Sequence, residues 1–160
     1  MIRMAQLEDA QGIATVHVHA WLTTYTGIIK EEILARMSIE GRTTLWKRHL
    51  NDREQLIYVY EQNEDVVGFA SATKSTANVL TLYILKDYQG KGGGKALLKA
   101  LFKDLVDLNH QEASVAVLEA NNSKLFYEKM GASLKKRTDV PEYGAGNVLL
   151  TYTWNELTKA

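Results

Sequence analysis

Cysteine is absent from the 160-residue sequence. Its absence excludes disulfide bonds, cysteine-based zinc sites and a thiol nucleophile, and it suits a reducing compartment such as the cytoplasm. Proline occurs once, and no proline-rich or glycine/serine-rich linker is present. Because a chain of this length can bury a hydrophobic core, we predict that residues 1–160 form a single domain.

An excess of charge of one sign is also lacking, since 19 basic residues balance 19 acidic residues and the sequence pI is about 6.9. Proteins that bind nucleic acids or membrane surfaces non-specifically usually carry a basic surplus. No apolar run approaches the roughly 18 residues of a membrane-spanning helix, and the first residues lack the apolar stretch of a secretory signal. The sequence therefore predicts a soluble cytoplasmic protein that binds neither nucleic acid nor a membrane.

Helical and strand-like segments alternate along the sequence. Runs of β-branched and aromatic residues predict strands at 2–6, 55–61, 66–73, 79–85, 113–118 and 147–154. Apolar residues at helical spacing predict helices at 9–25, 31–37, 40–51, 124–130 and from the end of a glycine-rich segment to about residue 108. Asp9 is the expected cap of the first helix. This order predicts an α/β fold with a mixed sheet.

The glycine-rich segment joins the strand at 79–85 to the helix that follows it. It consists of Gln89, Gly90, Lys91, Gly92, Gly93, Gly94 and Lys95. Glycines let backbone amides converge on one point, and the positive end of a helix dipole strengthens their attraction for an anion. The segment therefore predicts a cradle that suits a pyrophosphate, while a flexible turn without a ligand is the alternative.

Two common phosphate-binding loops do not fit this segment. A Walker A loop would require a glycine in place of Gln89 and a hydroxyl in place of Ala96. The dinucleotide-binding fingerprint would require a third glycine where Lys95 or Leu97 stands. Neither loop type therefore explains the glycines.

Two motifs together resemble those of the GNAT superfamily of acetyl-CoA-dependent N-acetyltransferases. Gln89, Gly92 and Gly94 meet the spacing Gln/Arg-x-x-Gly-x-Gly/Ala of its acetyl-CoA loop. Residues 121–131, which read NNSKLFYEKMG, resemble its later motif Asn-x-Ser-x-x-Phe-Tyr-Glu-x-x-Gly. Both motifs follow a predicted strand and occur in the family's order. A Trp-x-x-x-Tyr-x-Gly segment at 21–27 also resembles a bacterial subgroup of the family.

The resemblance implies an α/β (α+β) fold with a mixed, mostly antiparallel sheet flanked by helices, and acetyl-CoA as co-substrate without a metal. The amides of the glycine segment would bind the pyrophosphate. Further contacts to acetyl-CoA would come from the backbone of Leu82, Tyr83 and Ile84 and from Asn121 and Ser123. Tyr127 would protonate the departing CoA thiolate. Without a cysteine to carry the acetyl group, we expect direct, sequential transfer to the primary amine of a small molecule or peptide.

The general base is not identified by the sequence. Some family members place a glutamate where Ala116 stands here. The other candidates are Glu61, Glu119, His17 and His19, and none of them is favoured. Two other functions stay open: a non-catalytic acyl-CoA-binding module, and an enzyme that uses another acyl-CoA such as succinyl-CoA or propionyl-CoA. Homodimer formation is also left open.

Three further features have two interpretations each. Gly93 replaces the aliphatic residue usual in the family's loop, which we expect to loosen the loop and weaken acetyl-CoA binding. Trp21, Tyr25 and Trp46 either belong to the core or line the acceptor cleft. The basic run at 135–137 is either a solvated strand end or a contact for the 3′-phosphate of CoA.

Overall fold

A seven-stranded sheet organises the computed structural model, which describes residues 1–159. In chain order its strands are β1 (Ile2–Met4), β2 (Gln55–Gln62), β3 (Asp65–Thr73), β4 (Asn78–Ile84), β5 (Ala113–Leu118), β6 (Ser133–Asp139) and β7 (Val148–Trp154). In space they run β1-β2-β3-β4-β5-β7-β6. Within this sheet β4 and β5 are parallel, whereas the other neighbouring strands pair antiparallel. The predicted mixed, mostly antiparallel sheet is confirmed.

Helices cover both faces of the sheet. The α-helices of the described residues are α1 (Ala10–Tyr25), α2 (Glu31–Leu34), α3 (Ile39–Leu50), α4 (Gly93–Asp107) and α5 (Ser123–Lys129). Side chains alternate between the faces along a strand. In β2, Ile57 and Val59 accordingly pack in one core cluster with residues of α1 and α3, and Leu56 and Tyr60 in another with residues of α4. None of the helices described is both long and apolar enough to cross a membrane.

The structure differs from the sequence-based prediction of the fold at one strand and one helix cap. Strand β6 was not predicted, because all seven of its residues are exposed and no alternation of apolar and polar side chains marks it. Asp9 directly precedes α1 but does not cap it with its side chain. Its carboxylate instead accepts hydrogen bonds from the Arg3 guanidinium at 2.8 Å and from the Gln6 backbone amide at 2.7 Å.

Strands β4 and β5 separate soon after they meet. Their pairing includes only Asn78 with Ser114 and Val79 with Val115. At the same point the pairing of β4 with β3 shifts, so that Leu80 is an extra residue in β4. Such a bulge bends a strand and ends its regular pairing. A cleft therefore opens in the middle of the sheet.

Candidate active site

The cleft between β4 and β5 brings together residues from both halves of the chain. Its lining consists of Tyr25, Leu80, Thr81, Leu82, Tyr83, Val115, Ala116, Val117, Asn121, Ser123 and Tyr127. Five residues predicted from the sequence to contact acetyl-CoA or its thioester are in this set: Leu82, Tyr83, Asn121, Ser123 and Tyr127. Ile84 is not in it.

The glycine segment lies at the end of β4 and runs into α4. Gly90 and Gly92 have φ angles of +75° and +86°, a left-handed conformation that glycine adopts without strain. A Cβ atom added at either position would meet nothing within 4 Å. The space above both residues is therefore open, as a bound anion would require.

The first turn of α4 presents uncapped amides to this space. Gly92 is the N-cap residue and provides no side chain that could accept their hydrogen bonds. The first amide to bond back is that of Ala96, which donates to the Gly92 carbonyl at 3.1 Å. The amides of residues 93–95 therefore have no acceptor within the helix. They form the positive end of the helix dipole, to which a phosphate group is attracted.

Gln89 connects the glycine segment to β4. Its side-chain Nε2 donates to the Ile84 carbonyl at 2.9 Å, and its backbone amide donates to the Lys86 carbonyl. Both groups are thus engaged within the chain, and Ile84 offers its carbonyl to Gln89. In the structure Gln89 holds the loop against the end of β4 through these two hydrogen bonds. Its predicted contact with acetyl-CoA stays a prediction.

The start of α4 also packs beside α5. A Cβ atom added at Gly94 would meet the Phe126 ring at 3.5 Å and the Ile84 side chain at 3.6 Å, which are ordinary contacts. Phe126 directly precedes Tyr127 on α5. The cradle is therefore next to the helix that carries the predicted proton donor.

Gly93 is required by a neighbouring aromatic ring. It is buried, and an added Cβ atom would lie 2.6 Å from Cδ2 of Tyr60 and closer still to Cε2. Tyr60 is itself 6% exposed, so its ring has little room to move. The sequence-based expectation that Gly93 loosens the loop overlooked this contact, because Tyr60 occupies the volume that a larger residue at 93 would fill.

Replacing Gly93 with alanine is expected to lower the free energy of unfolding by about 1–3 kcal/mol, the usual cost of overpacking a filled site. For a chain of this size, each kcal/mol shifts the melting temperature by roughly 2–4 °C. Gly94→Ala is the matched control, since it adds the same methyl group one residue along α4 without a clash. Equal melting temperatures of the two variants, measured by calorimetry, would contradict the proposed role of Tyr60.

Tyr127 places its hydroxyl at the cleft. The residue is 5% exposed, and its ring packs edge-on against Trp154 and Phe126. Every fully buried side-chain nitrogen or oxygen of the described residues has a hydrogen-bond partner, whereas the Tyr127 hydroxyl makes no such bond within residues 1–159. That hydroxyl therefore reaches the cleft itself. Burial, and secondarily the nearby Tyr25, raise the pKa of Tyr127, so it carries its proton at neutral pH.

A group of hydrogen bonds connects the two sides of the cleft. The Trp21 indole Nε1 donates to the Tyr83 hydroxyl at 3.0 Å. The Asn121 side chain donates from Nδ2 to the Tyr25 hydroxyl at 2.9 Å and accepts the Ser123 amide on Oδ1 at 2.9 Å. Tyr25 and Trp21 thus belong to the cleft and its surroundings, which the sequence left open. Nothing in the sequence pattern indicated that Tyr25 and Asn121 are bonded.

The acidic candidates for the general base are engaged elsewhere. Glu61 forms an ion pair with Arg3 at 2.6 Å, and Glu119 forms one with Arg137 at 2.6 Å. Ala116 does line the cleft, but its methyl group cannot take a proton. The basic run at 135–137 lies on the exposed edge strand β6, and its Arg137 is the partner of Glu119 in the second ion pair.

The histidine candidates are equally unsuited to act as the base. His17 is buried, and its Nδ1 accepts a hydrogen bond from the Trp46 indole at 3.0 Å. Burial lowers the pKa of His17 to about 4, so the ring is neutral and weakly basic. His19 is exposed on α1 and is not among the residues that line the cleft. Trp46 belongs to the core together with His17.

The described lining of the cleft therefore contains hydroxyl and amide groups but no carboxylate or imidazole. Nor does any group of three or more His, Cys, Asp or Glu side chains within residues 1–159 have the arrangement of a metal site. The chemistry available at the cleft is hydrogen bonding and proton donation by tyrosine.

Comparison with known proteins indicates one family for this chain. The family model of the acetyltransferase (GNAT) domain matches residues 10–140. The chain is 30% identical over 134 residues to the N-acetyltransferase YuaI of Bacillus subtilis (strain 168), covering 79% of this chain and 76% of that protein.

Two solved structures with a bound cofactor share the fold. The PaiA N-acetyltransferase of Thermoplasma acidophilum, in complex with coenzyme A, superposes with a TM-score of 0.77 at 23% identity and covers 96% of this chain and 98% of its own. YncA from Salmonella typhimurium, with acetyl-CoA, superposes with a TM-score of 0.76 at 20% identity, and the match covers 97% of this chain and 92% of YncA.

Proposed function

Since the chain belongs to the acetyltransferase (GNAT) family and is an N-acetyltransferase, we propose that it transfers the acetyl group of acetyl-CoA directly to the amine of a small molecule or a peptide. The observation that carries this proposal is that Tyr127 lines the β4–β5 cleft from α5, the helix that packs beside the first turn of α4 and its uncapped amides. The amides would hold the pyrophosphate, and the thioester would extend into the cleft along residues 82–84.

The proposed reaction needs one bond formed and one broken. The neutral amine attacks the carbonyl carbon, the new C–N bond forms, and the C–S bond breaks. The nitrogen releases its extra proton to water. The sulfur takes a proton from Tyr127, which regains one from solvent. No residue is acylated in this sequence of steps, because no cysteine is available to carry the acetyl group.

The composition of the cleft favours an acceptor whose amine is already neutral. An alkyl amine has a pKa near 10.4, so fewer than about one molecule in a thousand is neutral at pH 7. The α-amino group has a pKa of about 7.7–8.0, so roughly one molecule in ten is neutral. With no carboxylate or imidazole in the described lining to remove the proton, we propose an α-amine, that of a peptide N-terminus or an amino acid, as the acceptor.

A screen for release of free CoA thiol tests this function and its acceptor class. The matched pair is a peptide with a free N-terminus and no lysine, against the same peptide with a blocked N-terminus and one lysine. The free N-terminus is expected to give the larger kcat/KM at pH 7, by about 200–400-fold if the two peptides differ only in the fraction of neutral amine. For the lysine peptide, kcat/KM should rise about tenfold per pH unit up to pH 9, because only the neutral amine reacts.

Other results of the screen would change the proposal. A kcat/KM that reaches its plateau near pH 6–7 with the lysine peptide would reveal a protein base. Propionyl-CoA and succinyl-CoA are measured beside acetyl-CoA. Faster turnover with either would identify that acyl-CoA, and not acetyl-CoA, as the donor. If no amine releases thiol from any of these donors, the proposed activity is wrong.

A further inference from the structure

The direction of each hydrogen bond around Tyr25 is fixed by groups that can only donate. The backbone amide of Ser123 is a donor, so the atom of Asn121 that faces it must be the oxygen Oδ1. The other end of the same side chain, Nδ2, therefore faces Tyr25 and donates to its hydroxyl oxygen. This settles the orientation of the amide without reference to hydrogen positions.

The same argument applies on the other side of Tyr25. The Trp21 indole is a donor only, so the Tyr83 hydroxyl oxygen accepts its proton. Tyr83 must direct its own hydrogen elsewhere. Burial is the main cause of the raised pKa of both tyrosines, and the side-chain hydrogen bond between them lowers the pKa of Tyr25 and raises the pKa of Tyr83, as it does when Tyr83 is the donor. Tyr83 therefore donates towards Tyr25.

Tyr25 consequently receives hydrogen bonds from Asn121 and Tyr83, and its own hydrogen is left for a third partner. Tyr25 lines the cleft, as Tyr127 does. A hydroxyl whose oxygen accepts from other donors is a stronger donor itself, because hydrogen bonds in a chain polarise one another. The two hydrogen bonds that Tyr25 accepts therefore orient its hydroxyl as a donor towards the cleft before acetyl-CoA binds.

We propose that Tyr25 is a catalytic residue whose hydroxyl donates a hydrogen bond to the acetyl carbonyl oxygen and stabilises the negative charge that this oxygen acquires when the amine attacks. Two atoms of the thioester gain charge during transfer, the oxygen first and the sulfur when the C–S bond breaks. Because Tyr127 is the proposed proton donor to the sulfur, Tyr25 is the donor to the carbonyl oxygen. The hydroxyl proton stays on Tyr25 throughout, and as the C–S bond breaks the oxygen's electron pair re-forms the C=O bond while the C–S electron pair leaves with the sulfur.

This inference rests on the proposed function, but its test requires no acceptor. Isotope-edited infrared spectroscopy of bound [1-¹³C]acetyl-CoA measures the carbonyl stretch, which a hydrogen bond moves to lower wavenumber. We expect the band of Tyr25→Phe to lie higher than that of the parent. Tyr58→Phe is the matched control, since it also removes the hydrogen bond of a half-buried tyrosine hydroxyl, to Asp104, and should leave the band in place.

A second variant covers a failure of Tyr25→Phe to fold. Asn121→Asp keeps the shape of the side chain and still accepts the Ser123 amide, but the oxygen that replaces Nδ2 accepts the hydrogen of Tyr25. The Tyr25 hydroxyl then donates to the introduced carboxylate and no longer to the acetyl carbonyl. The carbonyl band of Asn121→Asp should therefore lie at higher wavenumber than that of the parent, although Tyr25 is still present. Where an acceptor is known, kcat of Tyr25→Phe should fall by about 10²–10³-fold, as for loss of an oxyanion donor.

The results separate the two proposals. An unchanged carbonyl band in folded Tyr25→Phe, or in Asn121→Asp if the first variant does not fold, overturns the role of Tyr25 even if the enzyme acetylates amines. Loss of acetyl-CoA binding by folded Tyr25→Phe also overturns it, because the amides of α4 are untouched in that variant and no charge has been added. A shifted band together with a failed acceptor screen would leave Tyr25 at the carbonyl and refute the proposed activity alone.

Discussion

Replacement of Tyr127 with phenylalanine is expected to lower kcat by roughly 10²–10⁴-fold, the usual contribution of a positioned acid. The dissociation constant for acetyl-CoA should change little, because the ring keeps its contacts with Trp154 and Phe126 and the α4 amides are unaffected. The loss should fall on kcat, since the proton is required as the C–S bond breaks and not when acetyl-CoA binds. Steady-state kinetics and calorimetric binding measure the two effects separately.

The raised pKa of Tyr127 is compatible with this role. Burial, its main cause, disfavours the charged form of any group in the same cleft. A thiolate released there is disfavoured for the same reason, so its affinity for a proton rises together with that of the tyrosine. Tyr152→Phe is the matched control, because it removes a buried tyrosine's hydrogen bond to Glu128, the residue after Tyr127. A kcat of Tyr127→Phe within a few-fold of this control, with chemistry rate-limiting, would remove Tyr127 from the mechanism.

Substitution of Gly92 by aspartate is expected to weaken acetyl-CoA binding by about 100-fold or more. A carboxylate at the cradle would repel the pyrophosphate, and like charges in contact cost several kcal/mol, each 1.4 kcal/mol being tenfold. Ligand at 100 times its dissociation constant stabilises a protein by roughly 2.7 kcal/mol. The parent should therefore melt about 5–11 °C higher with acetyl-CoA, and Gly92→Asp should show almost none of this rise at the same concentration.

Gly27→Asp separates this effect from backbone strain. Gly27 ends α1 with a φ angle of +86°, the same as Gly92, and an added Cβ atom there likewise meets nothing within 4 Å. Both variants introduce the same charge and the same strained conformation, but only one of them alters the cradle. If acetyl-CoA raises the melting temperature of Gly92→Asp as much as that of Gly27→Asp, the pyrophosphate is bound elsewhere.

Elements with a strong local pattern could be predicted from the sequence. Strand β5 has the predicted bounds of 113–118. The strands predicted at 55–61 and 66–73 pair as β2 and β3 around a turn at Asn63 and Glu64, whose φ angles of 52° and 70° are those of a tight hairpin turn. These features depend on neighbouring residues alone. The exposed edge strand β6 has no such pattern, because its residues are held in place by pairing with β7 and not by burial.

The cleft depends on contacts that no local pattern contains. Its opening coincides with the extra residue Leu80 in the β3–β4 pairing, and a bulge of this kind leaves no mark in a run of apolar residues. The bond between Tyr25 and Asn121 joins residues 96 positions apart. Family resemblance indicated that both motifs belong to one site, but only the fold shows which of their side chains meet.

The contact between Tyr60 and Gly93 constrains how this sequence can diverge. A descendant that acquires the aliphatic residue usual at position 93 would first need a smaller side chain at position 60, and the intermediate with the smaller residue alone would have a cavity beside α4. Each single step is costly, whereas the double change restores the packing. The two positions should therefore be inherited as a pair, and chains of this family should divide into lineages with an aromatic residue and glycine or with a small residue and an aliphatic one.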